Sequence, residues 1–249
     1  MKKYLLPAVL CLFCLPALHA QIQRVYDVVP TENITSLEFN PSLDVLDHSK
    51  STSLSKMTMK GAYKLTPLLS VGAEVPFARY ESPADSKNGL GDITLSLSAG
   101  RYTYGDTWSF GGVLETIWPT ASYDELGTGK VQMNPSFYGV YTPTPNWFVA
   151  LGYKQYWSVA GDGGRDNINY GRIRLAMAYL SDNKWWVVLD PQYYINYDIP
   201  GQAHFSPEAE IGTMINEGTA IYLRASGKMG GNMPNKDWGI SMGFRVLYL

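Results

Sequence analysis

The chain has 249 residues, of which 45% are apolar, 13% aromatic and only 17% charged, with 24 glycines and 15 prolines. That is ample for one domain with a large core. A formal net charge of −2 excludes the basic surplus of a nucleic-acid-binding protein.

The first twenty residues, MKKYLLPAVLCLFCLPALHA, read as a signal peptide: Lys2 and Lys3, an apolar run from Tyr4 to Leu18, then Ala20 at the cleavage position. The run is too short and too N-terminal for a spanning helix. Cys11 and Cys14 fall within it without the small-residue pattern of a lipidation site, so the mature chain is expected to lack cysteine and disulfides. Losing Lys2 and Lys3 leaves 18 basic against 22 acidic residues, or −4. Residues 21–34, QIQRVYDVVPTENI, are irregular and are expected as a periplasmic N-terminal segment.

From Ser36 onward apolar and polar residues alternate with period two. TWSFGGVLETIW carries Trp108, Phe110, Leu114 and Trp118 on one parity, and KWWVVLDPQYYINY carries Trp185, Val187, Leu189, Tyr193 and Ile195. WGISMGFRVLYL repeats the pattern with Trp238, Ile240, Met242 and Phe244. Helical spacing fits none of them, so they read as strands. They run to about eleven to fourteen residues, long for a globular protein and long enough for tilted strands to cross a bilayer.

The breaks alternate in length: short at 65–67, 104–106, 142–146, 181–183 and 216–218, longer at 80–90, 119–130, 159–167, 198–204 and 230–236. With strands near 35–46 and 52–65 the count is about twelve. The expected fold is all-β: a transmembrane antiparallel up-and-down barrel over 35–249, with short periplasmic turns and longer extracellular loops. Its expected place is the outer membrane of a Gram-negative cell, in contact with lipid and inserted by the barrel-assembly machinery.

Tryptophan placement fits this plan. All seven lie at expected strand ends: Trp108, Trp147, Trp185 and Trp186 by short turns, Trp118, Trp157 and Trp238 by long loops. Trp108 to Trp118 and Trp147 to Trp157 each span ten residues. At about 3.3 Å per residue and the usual tilt, that is roughly the 25 Å between aromatic girdles. Indole prefers such interfaces because its body is apolar and one edge is polar.

If the apolar parity faces lipid, the other faces the lumen. That set holds Glu38, Asp44, Lys56, Lys60, Glu74, Glu115, Lys154, Arg172, Arg174, Asp190, Glu208, Glu210, Arg224, Lys228 and Arg245. A charge on the lipid side would cost about 2–4 kcal/mol at mid-membrane. Both signs occur, so the set reads either as a polar passage or as a salt-bridge network filling a closed lumen. Twelve strands lie between the filled eight-stranded and the open sixteen-stranded case.

Little else suggests chemistry. His48 and His204 are expected in long loops, and only His204 with Ser206 offers a base near a nucleophile, the basis of an alternative reading as a lipid acyl hydrolase. No zinc spacing is present, and the glycine-rich GLGDI and LGTG stretches precede no helix. No cofactor is expected. YWSVAGDGGRDNINY fails as an EF-hand because Asp162 and Asp166 are four apart with Arg165 between, and position twelve is Ile173. These three charges are expected to be hydrated or mutually paired at the extracellular mouth.

Four stretches carry a resemblance: NGLGDITLSL (88–97), PTASYDELGTGKVQMNPSFYGVYTP (119–143), KQYWSVAGDGGRDNINYGRIRLAMAYL (154–180) and KWWVVLDP (184–191). In that order they resemble the outer-membrane transporters grouped under the MetA pathway of phenol degradation, over most of residues 88–249. Val131 departs from the pattern, standing where an aromatic is expected. The resemblance implies a barrel that passes small hydrophobic or aromatic compounds. The leading expectation is therefore a passive channel for small solutes. The alternatives are the hydrolase and a structural barrel with a closed lumen.

Overall fold

The computed structural model describes residues 35–234 and 236–248; the expected signal peptide and the segment 21–34 lie outside the described residues. The strands are β1 (Thr35–Asp47), β2 (Thr52–Thr66), β3 (Leu69–Glu81), β4 (Ser86–Leu90), β5 (Ile93–Tyr104), β6 (Trp108–Trp118), β7 (Lys130–Thr144) and β8 (Trp147–Gly161). They continue as β9 (Asn169–Leu180), β10 (Trp185–Asp190), β11 (Gln192–Asn196), β12 (Ala203–Phe205), β13 (Glu208–Asn216), β14 (Thr219–Gly227), β15 (Gly230–Gly231) and β16 (Trp238–Tyr248). Four pairs are single staves with a break: β4 with β5, β10 with β11, β12 with β13, and β14 with β15. The result is a closed antiparallel barrel of twelve staves, the number expected from the alternation of turns and loops.

Closure is direct. Phe39 of β1 pairs with Met59 of β2 on one side and with Phe244 of β16 on the other. Closing the sheet removes the open edge that would otherwise leave backbone groups unpaired. Two of the breaks coincide with prolines, Pro191 between β10 and β11 and Pro207 between β12 and β13. Neither can donate to a ladder. The neighbouring groups carry the pairing across: Ser206 N–H donates to Gln192 O at 2.9 Å, and Leu175 N–H donates to Pro191 O at 3.1 Å.

Period-two patterning decides which face each residue takes. In β7, Gln132, Asn134, Ser136, Tyr138 and Val140 are buried, while Met133, Phe137 and Tyr141 on the opposite parity are exposed on the outer surface. The turn at 104–106 needs a left-handed residue, supplied by Gly105 at φ 61°.

Two expectations about loops are corrected. Residues 80–90 form no long loop: β4 pairs back onto β3 from Phe77↔Leu90 to Glu81↔Ser86, leaving only a tight turn. Ser82 and Asp85 close that turn, with Ser82 N–H donating to Asp85 O at 2.9 Å and Asp85 N–H to Ser82 Oγ at 3.1 Å. His204 also sits in a strand rather than a loop, opposite Tyr194. The short strand continues upward because Asn232 and Met233 N–H groups both donate to Ala203 O.

The interior is uneven. At the short-turn end an apolar cluster fills it, made of Val140, Phe148, Ala150, Ala176, Ala178, Leu180, Trp186, Val188, Ala220 and Tyr222, with Met214 against it. Its large rings lie over glycines of the neighbouring stave. A Cβ on Gly212 would stand 2.1 Å from the Trp186 ring, and one on Gly243 would stand 2.0 Å from the Tyr222 ring. Both glycines are directly opposite these aromatics in register, so the rings can lie flat only because the side chain is missing. The facing wall is small and polar instead, with Ala62, Gly72, Ser96 and Ser98.

Candidate functional site in the barrel lumen

Above the apolar cluster lies a cavity of about 290 Å³, lined from nearly every stave of the barrel. Its charged lining comprises Glu38, Lys60, Glu74, Glu115, Arg172, Arg174, Glu208, Arg224 and Arg245. Each points inward because it shares parity with the buried polar residues, the opposite of the exposed apolar set.

Register explains how these charges meet. Arg245, Glu38, Lys60 and Glu74 stand directly opposite one another across β16, β1, β2 and β3. Opposite charges so placed attract. Arg245 Nε donates to Glu38 Oε2 at 2.5 Å, and Lys60 Nζ lies 3.8 Å from Glu38 and 4.0 Å from Glu74. Glu38 also accepts from the Tyr222 hydroxyl at 2.7 Å. Glu210 is a second hub, accepting from Trp186 Nε1 at 2.7 Å and from Arg224 Nε at 2.9 Å.

Arg174 pairs with Asp190, its Nε donating to Oδ1 at 3.2 Å. Lys154 reaches Glu115 across β7, over Asn134 and Ser136. Asp44 holds Lys56 at 3.2 Å and Lys236 at 2.7 Å nearer the loops. Lys228 Nζ donates to Met233 O at 3.1 Å. Sequence reasoning counted charges and so missed the neutral residues packed among them. Gln132, Asn134 and Gln192 are buried. Asn134 accepts from Trp157 N–H at 3.1 Å in the stretch between the paired residues Gln132 and Ser136 of β7. Their polar type at inward parity was the available signal.

The longer loops differ from the expected arrangement. Arg165 pairs with neither Asp162 nor Asp166; it reaches into the loop 119–129. Its Nη2 donates to Asp124 O at 2.6 Å and Gly127 O at 2.7 Å, and its Nη1 lies 4.0 Å from the Asp124 carboxylate. Three backbone carbonyls, counting Thr128 O at 3.4 Å, offer a guanidinium more than two exposed acids would. Asp162 turns its own loop by accepting Gly164 N–H at 2.8 Å, and Asp166 is exposed. Asp92 fastens the same neighbouring loop, accepting from Thr128 N at 2.6 Å. On the first hairpin, Ser49 donates to Asp47 and, with Lys50, holds its carboxyl down to about 2.

Arg165→Ala should therefore loosen the loop 119–129. Hydrogen bonds to a charged group contribute about 1.5–3 kcal/mol, so limited proteolysis within that loop should speed up about tenfold. An unchanged cleavage rate would mean that Arg165 does not hold it.

On the outer surface Trp108, Trp147 and Trp185 are exposed at the short-turn rim, and Trp118, Trp157 and Trp238 at the loop rim. The lower rim is linked through tyrosines, with ring centroids 4.8 Å apart for Trp108–Tyr141, 5.0 Å for Trp147–Tyr179 and 5.4 Å for Tyr179–Trp185. Trp186 departs from this set: it is fully buried inside the barrel. Adjacent residues on a strand face opposite ways, so Trp185 and Trp186 could not both join the rim. His204 and Ser206 are buried in the wall, with the His204 ring stacked 4.2 Å from that of Tyr194. Among the described residues no cluster of His, Cys, Asp and Glu is suited to a metal ion.

No protein-family model matches the chain, and no curated protein matches it in sequence. Solved structures do match in fold. A COG4313 outer membrane channel from Pseudomonas putida F1 is 15% identical with a TM-score of 0.67, over 86% of this chain and 94% of that one. The KdgM porin (10% identical, TM-score 0.61) and the NanC porin (10%, 0.61) cover 86% of this chain and 99% and 100% of theirs. The three are porins or channels, and at these identities the likeness is one of fold.

Proposed function

We propose that this chain is a passive outer-membrane channel for small solutes, aromatic ones among them. The observation that carries this reading is the polar cavity at mid-barrel, lined by inward charges from eight of the twelve staves and surrounded by an apolar exterior with tryptophan rims. An exterior of this kind is stable against lipid and not against water. The fold shared with porins and channels supports the reading, and the motif resemblance at 88–191 supports aromatic solutes and a tie to phenol degradation. On this reading the tryptophan rims contact outer-membrane lipid, the barrel is inserted by the assembly machinery, and Asp162, Arg165 and Asp166 border the mouth.

Purified full-length protein in planar bilayers should give discrete current steps, and proteoliposomes should take up phenol faster than protein-free vesicles. Absence of both steps and uptake would remove the channel. One observation favours a second reading, a barrel closed at rest: Trp186, Phe148 and Leu180 are almost wholly enclosed at the short-turn end.

A further inference from the structure

Among the described residues, ion pairing in the cavity leaves one cation without a carboxylate. Lys60, Arg174, Arg224 and Arg245 all line it with a carboxylate at hand. Arg172 lines the same cavity, yet among the described residues no carboxylate pairs with it. Its polar neighbours are neutral: Nη1 donates to Gln192 Oε1 at a long 3.4 Å, the Tyr194 hydroxyl stands beside the guanidinium, and Nε is buried with no partner. The ring of Tyr156, 5.8 Å from the guanidinium carbon, supports it from one side.

Register makes the position more unusual. Arg172 stands directly opposite Lys154, a like-charge pair that is destabilising on its own, and Lys154 is the one that takes Glu115. The acids show the reverse. Glu208 stands opposite Asp190, Asp190 is taken by Arg174, and Glu208 lines the cavity without an ion pair among the described residues.

We infer that Arg172 is the recognition group for a small organic monocarboxylate held in the lumen cavity, and that Glu208 on the same cavity rejects a second negative charge. A planar guanidinium fork matches a carboxylate in geometry and charge. A bound carboxylate relieves the Arg172–Lys154 repulsion on the Arg172 side, where among the described residues only the Tyr156 ring and no carboxylate now stands. The cavity volume of about 290 Å³ sits at the lower edge of ligand pockets, which limits the solute to a small one. This inference deepens the channel reading and rests on it for its biological sense, but binding is measured separately from passage.

Calorimetry on the detergent-solubilised full chain should show benzoate binding one to one. Benzamide, equal in shape and uncharged, should bind about tenfold or more weakly, and the dianion phthalate should be weaker than benzoate. Arg172→Gln should abolish the preference for benzoate over benzamide. Glu208→Gln should raise phthalate affinity about tenfold. Arg172→Lys, which keeps the charge and loses the fork, provides the comparison if the glutamine variant does not fold, and should hold benzoate several-fold less tightly. Equal affinity for benzoate and benzamide, or an undiminished preference in either Arg172 variant, overturns the site. Phthalate binding that is unchanged in Glu208→Gln overturns the role of Glu208. A barrel that binds benzoate but passes no solute in liposomes removes the channel and leaves the site standing.

Discussion

Trp186→Ala should raise single-channel conductance several-fold while costing the barrel stability. Trp186 is fully buried within the apolar cluster at the short-turn end and is the largest side chain there. Its ring lies over Gly212, from which no side chain can grow to refill the space. Ala150, Ala176, Ala178 and Ala220 nearby are short, and Phe148 and Leu180 are the bulky neighbours that remain. The space opened should therefore stay open and fill with water, joining the cavity above to the short-turn side. Removing a large buried aromatic costs about 3–5 kcal/mol, and Glu210 loses one of its donors as well. The two effects are separable: conductance is read on the folded, inserted fraction, and stability from urea unfolding in detergent. Unchanged conductance in folded Trp186→Ala barrels would mean that this cluster does not limit the path. Trp186→Phe, which keeps most of the volume and loses the indole N–H, should lose stability with little change in conductance.

The fold was legible because lipid excludes charge. Along β14 and β16, Arg224 and Arg245 alternate with Ile221, Leu223, Met242 and Phe244, and a single parity rule sorts them. Twelve staves followed from turn spacing. The filling of the lumen was not legible by the same rule. In WWVVL both parities are apolar, so although shared parity with Asp190 turns Trp186 and Val188 inward, nothing in the pattern says that they pack together and fill the lumen. The glycines opposite Trp186 and Tyr222 are adjacent only once strands far apart in sequence are paired. Pairing among the charges had the same limit. Parity shows that Arg172 and Lys154 face inward, but only register shows that they oppose each other. The stapling by Arg165 left no trace either, because its partners are backbone carbonyls, which any residue supplies. Sequence reasoning sought side-chain partners and assigned the charge to its own loop.

Glu38 closes the barrel seam, and its removal should have the largest effect of any lumen charge. It lies on β1, in register with Arg245 on the final strand, and both are almost wholly buried. Glu38→Ala leaves the Arg245 guanidinium buried without its acid, and the Tyr222 hydroxyl without its acceptor. Breaking one side of a buried pair costs about 3–5 kcal/mol. Lys60 is buffered because Glu74 stands on its other side, so the damage should centre on β1 and β16. Urea unfolding followed by tryptophan fluorescence should shift by that amount, with faster hydrogen exchange in β1 and β16 than in β7 and β8. The double variant Glu38→Leu with Arg245→Met separates two causes. If the loss comes from the stranded charge, removing both partners should restore most of the stability, since an apolar pair of similar volume often replaces a buried ion pair at little cost. If the double variant is as unstable as Glu38→Ala, the seam depends on the ion pair itself and on the Tyr222 bond it anchors. A Glu38→Ala barrel as stable as the native one would show that backbone pairing alone closes the sheet, leaving the inward charges with no structural duty at the seam and only the solute path to account for them.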